Sequence, residues 1–328
     1  MKKRNFIAII FLLLALLISI PSNVAFADDN GTNKVYLGGM PAGFTVYNRG
    51  AYVNGFRSVI TENGVLTPCK DCGMKIGDLI LSINNIETNS ALDVEKALTN
   101  TDEKILTVSR NNEILYFNVK PCIDIYGKIK LGLFIREGIN GIGTITYIKG
   151  NRFASLGHPI IDENNNIVEI TGGDLYNCKI TGIIKGVKGR AGELRGVISR
   201  DCLIGRIDKN QINGVFGKIN DNFDKSTLQE IELGSAKVGD AEIRCTIANN
   251  KTSNYKVSIV KIEKNKEIKN LVIKIEDEEL IENAGGIIQG LSGSPIIQEG
   301  KLIGAVTHVF INDPSRGFGI LIDKMNNN

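Results

Sequence analysis

The sequence predicts a mainly β protein in which a small α+β domain, residues 35–120, is followed by an all-β sandwich or barrel, residues 121–328. Two observations carry this. From Ile123 to Ile322, short alternating apolar runs are separated by glycine-rich turn signals at intervals of about ten residues. From Val35 to Lys120, similar runs are joined by a single helical stretch, Ser90 to Leu98. With 328 residues, 42% of them hydrophobic, the chain can build a substantial core, and no internal repeat is visible.

The N-terminal elements read in order as follows. Lys2, Lys3 and Arg4 precede an apolar run from Phe6 to Ile20, and Ala25-Phe26-Ala27 places small residues at cleavage spacing. Residues 1–27 therefore read as an export signal, or as an N-terminal membrane anchor if Pro21 to Ala27 extends the run toward the ~20 residues a spanning helix needs. Residues 28–34, polar and rich in Gly and Asn, read as a linker. The excess of 39 basic over 36 acidic residues equals the three cations of the leader. The remainder is neutral and carries no Lys/Arg stripe interleaved with aromatics, which argues against nucleic acid as a partner.

Within 35–120 the expected strands are Phe44 to Asn48, Ala51 to Val59, Leu79 to Ile83, Ile105 to Ser109 and Ile114 to Val119, with a hairpin at Asn111-Asn112. Gly73-Met74-Lys75-Ile76-Gly77-Asp78, followed by the apolar strand Leu79 to Ile83, resembles PDZ domains of exported bacterial proteases. In that pattern two alanines of a helical turn precede the glycine. Cys69 and Cys72 stand at their places and read as small core residues. The resemblance implies a groove that binds a peptide by strand addition, with Gly39, Gly43 and Phe44 loosely matching its peptide-binding loop. The alternative for Cys69 and Cys72 is a zinc or thiol-redox site, but no second pair follows at metal-ligand spacing. The six cysteines are also too dispersed for a small disulfide scaffold.

The strongest chemical signal is Gly290-Leu291-Ser292-Gly293-Ser294-Pro295, followed by the strand Ile296-Ile297, a turn at Glu299-Gly300 and the strand Leu302 to Phe310. It resembles the Gly-x-Ser-Gly-(Gly/Ser)-Pro signature of chymotrypsin-like β-barrel serine proteases. A serine nucleophile needs a tight turn that glycine permits, so that its own N–H and that of Gly290 point together at a developing oxyanion. Ser294 is the rival hydroxyl, but the register favours Ser292.

A serine also needs a base, and the chain has two histidines. His158, in Phe153-Ala154-Ser155-Leu156-Gly157-His158-Pro159, follows an apolar strand and is the expected base. His308 lies within the strand after Ser292 and reads as a wall of the substrate cleft or as a core histidine. The third group should be a carboxylate that fixes the tautomer of His158. Asp201 divides the interval between His158 and Ser292 as the chymotrypsin order would, and Asp277 is the other candidate.

The leader, the PDZ-like segment, Gly157-His158-Pro159, the run from Gln289 to Ile297, Gly304 to Phe310 and Asn312-Asp313-Pro314 together resemble the stage IV sporulation protein B peptidases. The resemblance implies a His, Asp, Ser order that maps onto His158, Asp277 and Ser292, with no metal or organic cofactor. It implies an exported enzyme acting between the membranes around a developing forespore. There it would cut a membrane-bound regulator, releasing an intramembrane metalloprotease that processes a sigma factor precursor. The PDZ-like domain would guide target recognition and self-cleavage near the N-terminus. A non-catalytic exported adaptor with a degenerate protease fold is the competing expectation.

Overall fold

Period-two burial dominates the chain, as strand geometry requires. In β1 (Lys34–Leu37), Val35 and Leu37 are buried while Lys34 is exposed. The structure, a computed structural model, describes residues 33–326 except 112, 137, 163, 164 and 248. The expected leader, most of the linker and Asn112 of the expected hairpin lie outside the described residues.

After β1 comes β2 (Pro41–Asn48), and the chain then departs into a small α+β domain. This contains β3 (Ala51–Phe56), the hairpin β4 (Val59–Thr61) and β5 (Gly64–Leu66), and the short helix α1 (Pro68–Asp71). There follow β6 (Leu79–Ile83), β7 (Ile86–Glu87), α2 (Ala91–Ala97), β8 (Lys104–Arg110) and β9 (Glu113–Val119). The ribbon of β10 (Cys122–Ile123) and β11 (Ile129–Lys130) leads to β12 (Leu133–Arg136). The domain's sheet runs β12-β3-β6-β8-β9, with β7 on β6. Ser90 caps α2 by accepting the Asp93 N–H, as a serine at that position does readily.

The chain returns through β13 (Ile139–Lys149), β14 (Arg152–Ser155), β15 (Ile170–Ile184), β16 (Glu193–Gln211) and β17 (Gly214–Ile219). These five and β2 form the antiparallel circuit β2-β13-β14-β17-β16-β15, which closes on itself as a first barrel. After β18 (Glu230–Leu233), a second circuit forms from β19 (Gly239–Thr246), β20 (Thr252–Ile262), β21 (Leu271–Ile275), β22 (Pro295–Gln298), β23 (Lys301–Phe310) and β24 (Asp313–Leu321). Its order β19-β20-β21-β24-β23-β22 also closes antiparallel. Closure removes the unpaired edges that an open sheet would present. The helix α3 (Glu278–Ala284) lies between β21 and β22, and α4 (Ile322–Asn326) ends the described chain.

Each barrel has its own core. Phe44, Ile145, Phe153 and Leu175 fill the first, and Ile243, Ile259, Leu271 and Leu280 the second. A further cluster draws Tyr147 and Phe216 from the first barrel, Leu302 from the second, Ile231 from β18 and Met325 from α4, sealing the seam between barrels. Each large side chain so buried contributes about 1.5–3 kcal/mol. Backbone pairing bridges the same seam, through β13-β1-β18-β23.

The small domain is not a leading module, as the range 35–120 expected. It is inserted within barrel 1, between the adjacent strands β2 and β13, which pair Val46 with Ile139. The ribbon continues into the insert, where β3 pairs with β12 through Tyr52 and Arg136. Glycines mark the crossing: Gly50 has φ of +111° and Gly138 +78°, and a Cβ on Gly138 would fall 2.5 Å from the Val46 carbonyl oxygen.

The three residues expected in the peptide-binding loop, Gly39, Gly43 and Phe44, belong to the barrels for the same reason. Phe44 is buried in the barrel 1 core, and Gly43 sits in β2, where a Cβ would strike Ile198 at 2.6 Å. Gly39 joins β1 to β2 against Arg244. None of the three lines the small domain, because alternation along β2 commits this segment to the barrel.

The insertion makes a testable distinction. A chain beginning at residue 121 lacks β1 and β2, leaves barrel 1 open, and should show no cooperative thermal unfolding. Replacing residues 48–137 by an Asn-Gly turn should preserve a cooperative transition, because the β2-β13 hairpin needs only a two-residue turn. The reverse pattern of melting curves would contradict the topology.

Candidate active site

The candidate nucleophile sits on the turn that leads into β22. Gly290 and Gly293 take φ of +96° and +93°, a region that glycine enters freely. A Cβ on Gly293 would stand 2.1 Å from the Thr144 carbonyl oxygen and 2.6 Å from the Leu156 nitrogen, so this turn of the second barrel lies directly on the first. Ser292 is partly exposed, whereas Ser294, the rival hydroxyl, is fully buried.

Two threonines of β13 pin the turn. The Thr144 N–H donates to Ser292 O at 3.0 Å, Thr144 Oγ1 donates to Gly290 O at 2.9 Å, and Thr146 Oγ1 donates to Gly293 O at 2.7 Å. Within the turn and toward β23, Leu291 N–H donates to Ile288 O, Gly293 N–H to Val306 O and Ser294 N–H to Leu291 O. The peptide planes 290–291, 292–293 and 293–294 are thus held at both ends. Planes 289–290 and 291–292 are held by their carbonyls alone, Gln289 O accepting from Leu194 N–H and Leu291 O from Ser294 N–H. The N–H groups of Gly290 and Ser292 have no protein partner among the described residues. Unpaired backbone donors are uncommon, and two beside a serine suit an oxyanion.

The candidate base arrives from barrel 1. After β14 the chain turns through Leu156 and Gly157 at φ of 65° and 69°. The left-handed conformation costs leucine roughly 1–2 kcal/mol. Burial of the Leu156 side chain, which lies against Gly143, offsets that cost. A Cβ on Gly157 would touch Thr307 and Ile320 at 2.9 Å, so the segment carrying His158 rests on β23 and β24. The rings of His158 and His308 meet with centroids 4.8 Å apart and planes tilted by 42°.

His158 Nδ1 lies 2.8 Å from the Pro159 carbonyl oxygen. A carbonyl only accepts, so Nδ1 carries the proton and Nε2 keeps its lone pair. Burial lowers the His158 pKa below the ordinary 6.5, the Pro159 bond opposes this, and the Lys269 ammonium adds to the lowering. His308 is pushed down to about 3, first by burial and then by His158 and Lys269. Its Nδ1 is buried without a hydrogen-bond partner, so it is not the satisfied core histidine that one reading anticipated. Ser292 Oγ donates to Thr307 O at 2.8 Å instead of to an imidazole.

The structure does not bring Asp277 to this site. Its carboxylate caps α3, accepting the Leu280 N–H at 3.2 Å, and also takes the Lys256 N–H at 3.2 Å. An aspartate directly before Glu278-Glu279 and an apolar helix is a strong N-cap, and that is the work it does. Asp201 is exposed on β16. Among the described residues, no carboxylate hydrogen-bonds either imidazole.

The small domain carries a groove of its own. A groove of about 440 Å³ separates α2, with Val94, Glu95 and Leu98, from Leu131, Gly132 and Leu133. Strand β12 beside it is the edge of its sheet. Gly132 has φ of +71°, and its carbonyl accepts the Arg57 N–H at 2.9 Å, while Leu131 O accepts the Cys69 N–H at 3.1 Å. Leu131-Gly132-Leu133-Phe134 in this loop carries a Gly-hydrophobic pattern like the one noted at Gly39, Gly43 and Phe44. Cys69 is buried in the small domain's core, and Cys72, partly exposed, donates its thiol to Cys69 O at 3.1 Å. The larger cleft of about 750 Å³, between the small domain and barrel 1, includes neither Ser292 nor His158.

Two closed six-stranded barrels, with a serine turn from one and a histidine from the other at their seam, define the chymotrypsin-like class of peptidase folds. The family model described as SpoIVB peptidase S55 matches residues 127–326, and the chain belongs to this family of serine peptidases. No curated protein matches. The Rv3671c protease from M. tuberculosis, in its active form, aligns at 14% identity and a TM-score of 0.35, covering 57% of this chain and 72% of that one. Its inactive form aligns at 14% identity and a TM-score of 0.33, covering 56% and 81%. The fold assignment rests on the strand pairings themselves.

The placement of Asp277 predicts the outcome of its removal. Asp277→Ala should cost about 1 kcal/mol through the lost cap, read as a lowered melting temperature, while Ser292 keeps its reactivity toward a fluorophosphonate. Lost reactivity at an unchanged melting temperature would return this carboxylate to the catalytic group.

Proposed function

We propose that this chain is an exported serine endopeptidase in which Ser292 attacks a peptide carbonyl and His158 is its base. Rotation of the Ser292 hydroxyl away from Thr307 O presents its proton to His158 Nε2 as Oγ bonds to the carbonyl carbon. The oxyanion so formed is received by the N–H groups of Gly290 and Ser292. The His158 imidazolium then protonates the leaving amine, and a water, deprotonated by the same nitrogen, hydrolyses the acyl-enzyme. The observation that carries this reading is the pair of unengaged N–H groups flanking a partly exposed serine on a pinned turn.

The small domain is read as a PDZ-type module whose peptide enters the groove between α2 and β12 by strand addition, with the Leu131-Gly132-Leu133 loop at one end. Because the excursion enters through β3 and leaves through its edge strand β12, that loop falls near the end of the segment and not before its first strand. The family supports export and a role in sporulation signalling. The substrate would be a membrane-bound regulator of an intramembrane metalloprotease, and the chain's own N-terminal segment would be both a self-cleavage target and a groove ligand. The bond from Ser292 to Thr307 O favours the second reading, a non-catalytic adaptor, and labelling separates the two.

Purified protein should react with a fluorophosphonate at Ser292 and cleave itself, and both activities should fall by roughly 100-fold or more in Ser292→Ala and His158→Ala. The base must be neutral to act. Because burial lowers the His158 pKa, the labelling rate should hold through pH 6.5 and be lost only below it. Labelling that survives Ser292→Ala would place the nucleophile at another residue, whereas peptide binding that survives Ser292→Ala in a protein that neither labels nor cleaves would favour the adaptor.

A further inference from the structure

The base of this site is held without a carboxylate. Pro159 O fixes which nitrogen of His158 is protonated, but one hydrogen bond to a neighbouring carbonyl leaves the ring free to swing about that contact. What stands against the ring is the second imidazole. His308 projects from β23, whose preceding residue supplies the Thr307 carbonyl that now holds Ser292 Oγ. Its ring meets His158 at 4.8 Å between centroids. Its buried Nδ1 makes no hydrogen bond, so the side chain is not retained there for a bond at that nitrogen.

We propose that His308 is a positioning residue for His158, its ring packing against the base and excluding water, so that it supplies the orienting part of the role a carboxylate plays in other serine peptidases. This rests on the reading of Ser292 and His158 as nucleophile and base. The contact works only if the two rings are not charged together. The charged and titratable groups acting on the pair are the two imidazoles and Lys269, which precedes β21, and His308 stays neutral to about pH 3. When His158 takes the serine proton, its neighbour is therefore a neutral aromatic face, which tolerates a cation, and not a second cation. Burial is the first cause of the lowered His158 pKa: with the His308 ring as part of that cover, replacing it by a hydrated side chain should let His158 relax upward.

The test is the rate of fluorophosphonate labelling at Ser292 of the full chain, measured against pH for wild type, His308→Phe and His308→Gln, with melting curves for each. Phe keeps a flat apolar ring, and Gln is similar in size but flexible and polar. Expected for Gln is a rate lower by roughly 10- to 100-fold, with the acid limb moved up toward pH 6.5. Expected for Phe is a rate within a few-fold of wild type and a limb that stays low. A Gln variant that labels at the wild-type rate with the wild-type limb overturns the proposal, as does equal loss in both variants with the limb unmoved, which would mark simple damage to packing. An unlabelled wild-type protein overturns the peptidase reading and this inference with it, whereas the preceding outcomes leave the peptidase reading standing.

Discussion

Three hydrogen bonds cross from β13 of the first barrel to carbonyls of a turn that belongs to the second, and the chemistry of the site depends on them. A turn rich in glycine is poorly determined by its own preferences, because glycine loses the most conformational freedom on ordering. Each neutral bond contributes only about 0.5–1.5 kcal/mol, yet together they orient the peptide planes around Ser292. With the carbonyls engaged, the N–H groups of Gly290 and Ser292 are the two of this turn left without a protein partner among the described residues. Thr144 and Thr146 suit this work because each hydroxyl reaches over the seam, and at Thr144 the backbone N–H crosses as well.

The surroundings of His158, the proposed base, are unusual in their charge. A carboxylate beside a histidine raises its pKa, orients it and neutralises the imidazolium. Here the orienting acceptor is the Pro159 carbonyl, the second ring is neutral, and the charge that reaches both comes from Lys269. A lowered pKa keeps the free base available in mildly acid surroundings. It also makes the protonated form less stable, so packing and exclusion of water must do more of the work than charge pairing.

Much of this was legible in the residues. Alternation in Leu79 to Ile83 gave a strand with those same bounds, and Ser90 announced the start of α2 through its capping preference. Gly290 to Pro295 revealed a serine turn because its glycines have few other uses in that order. The insertion was not legible, since pairing of Val46 with Ile139 joins positions separated by a whole domain and leaves no local trace. Asp277 misled for a related reason. A helix cap and a catalytic carboxylate can use the same residue type, and only the fold shows that this one faces the N–H of Leu280. The contact between His158 and His308 depends likewise on two barrels meeting.

The manner of insertion also distributes tolerance along the chain unevenly. Strand β13 leaves the small domain at Gly138 and presents Thr144 and Thr146 to the serine turn. Inside the small domain, loops can lengthen or shorten over evolutionary time with no consequence for the barrels, since only the paired ends of the excursion are fixed. Between Ile139 and Thr144 no such latitude exists. A single added or lost residue there would reverse which side of the sheet each threonine faces, and the serine turn would lose its moorings while every motif in the chain remained intact.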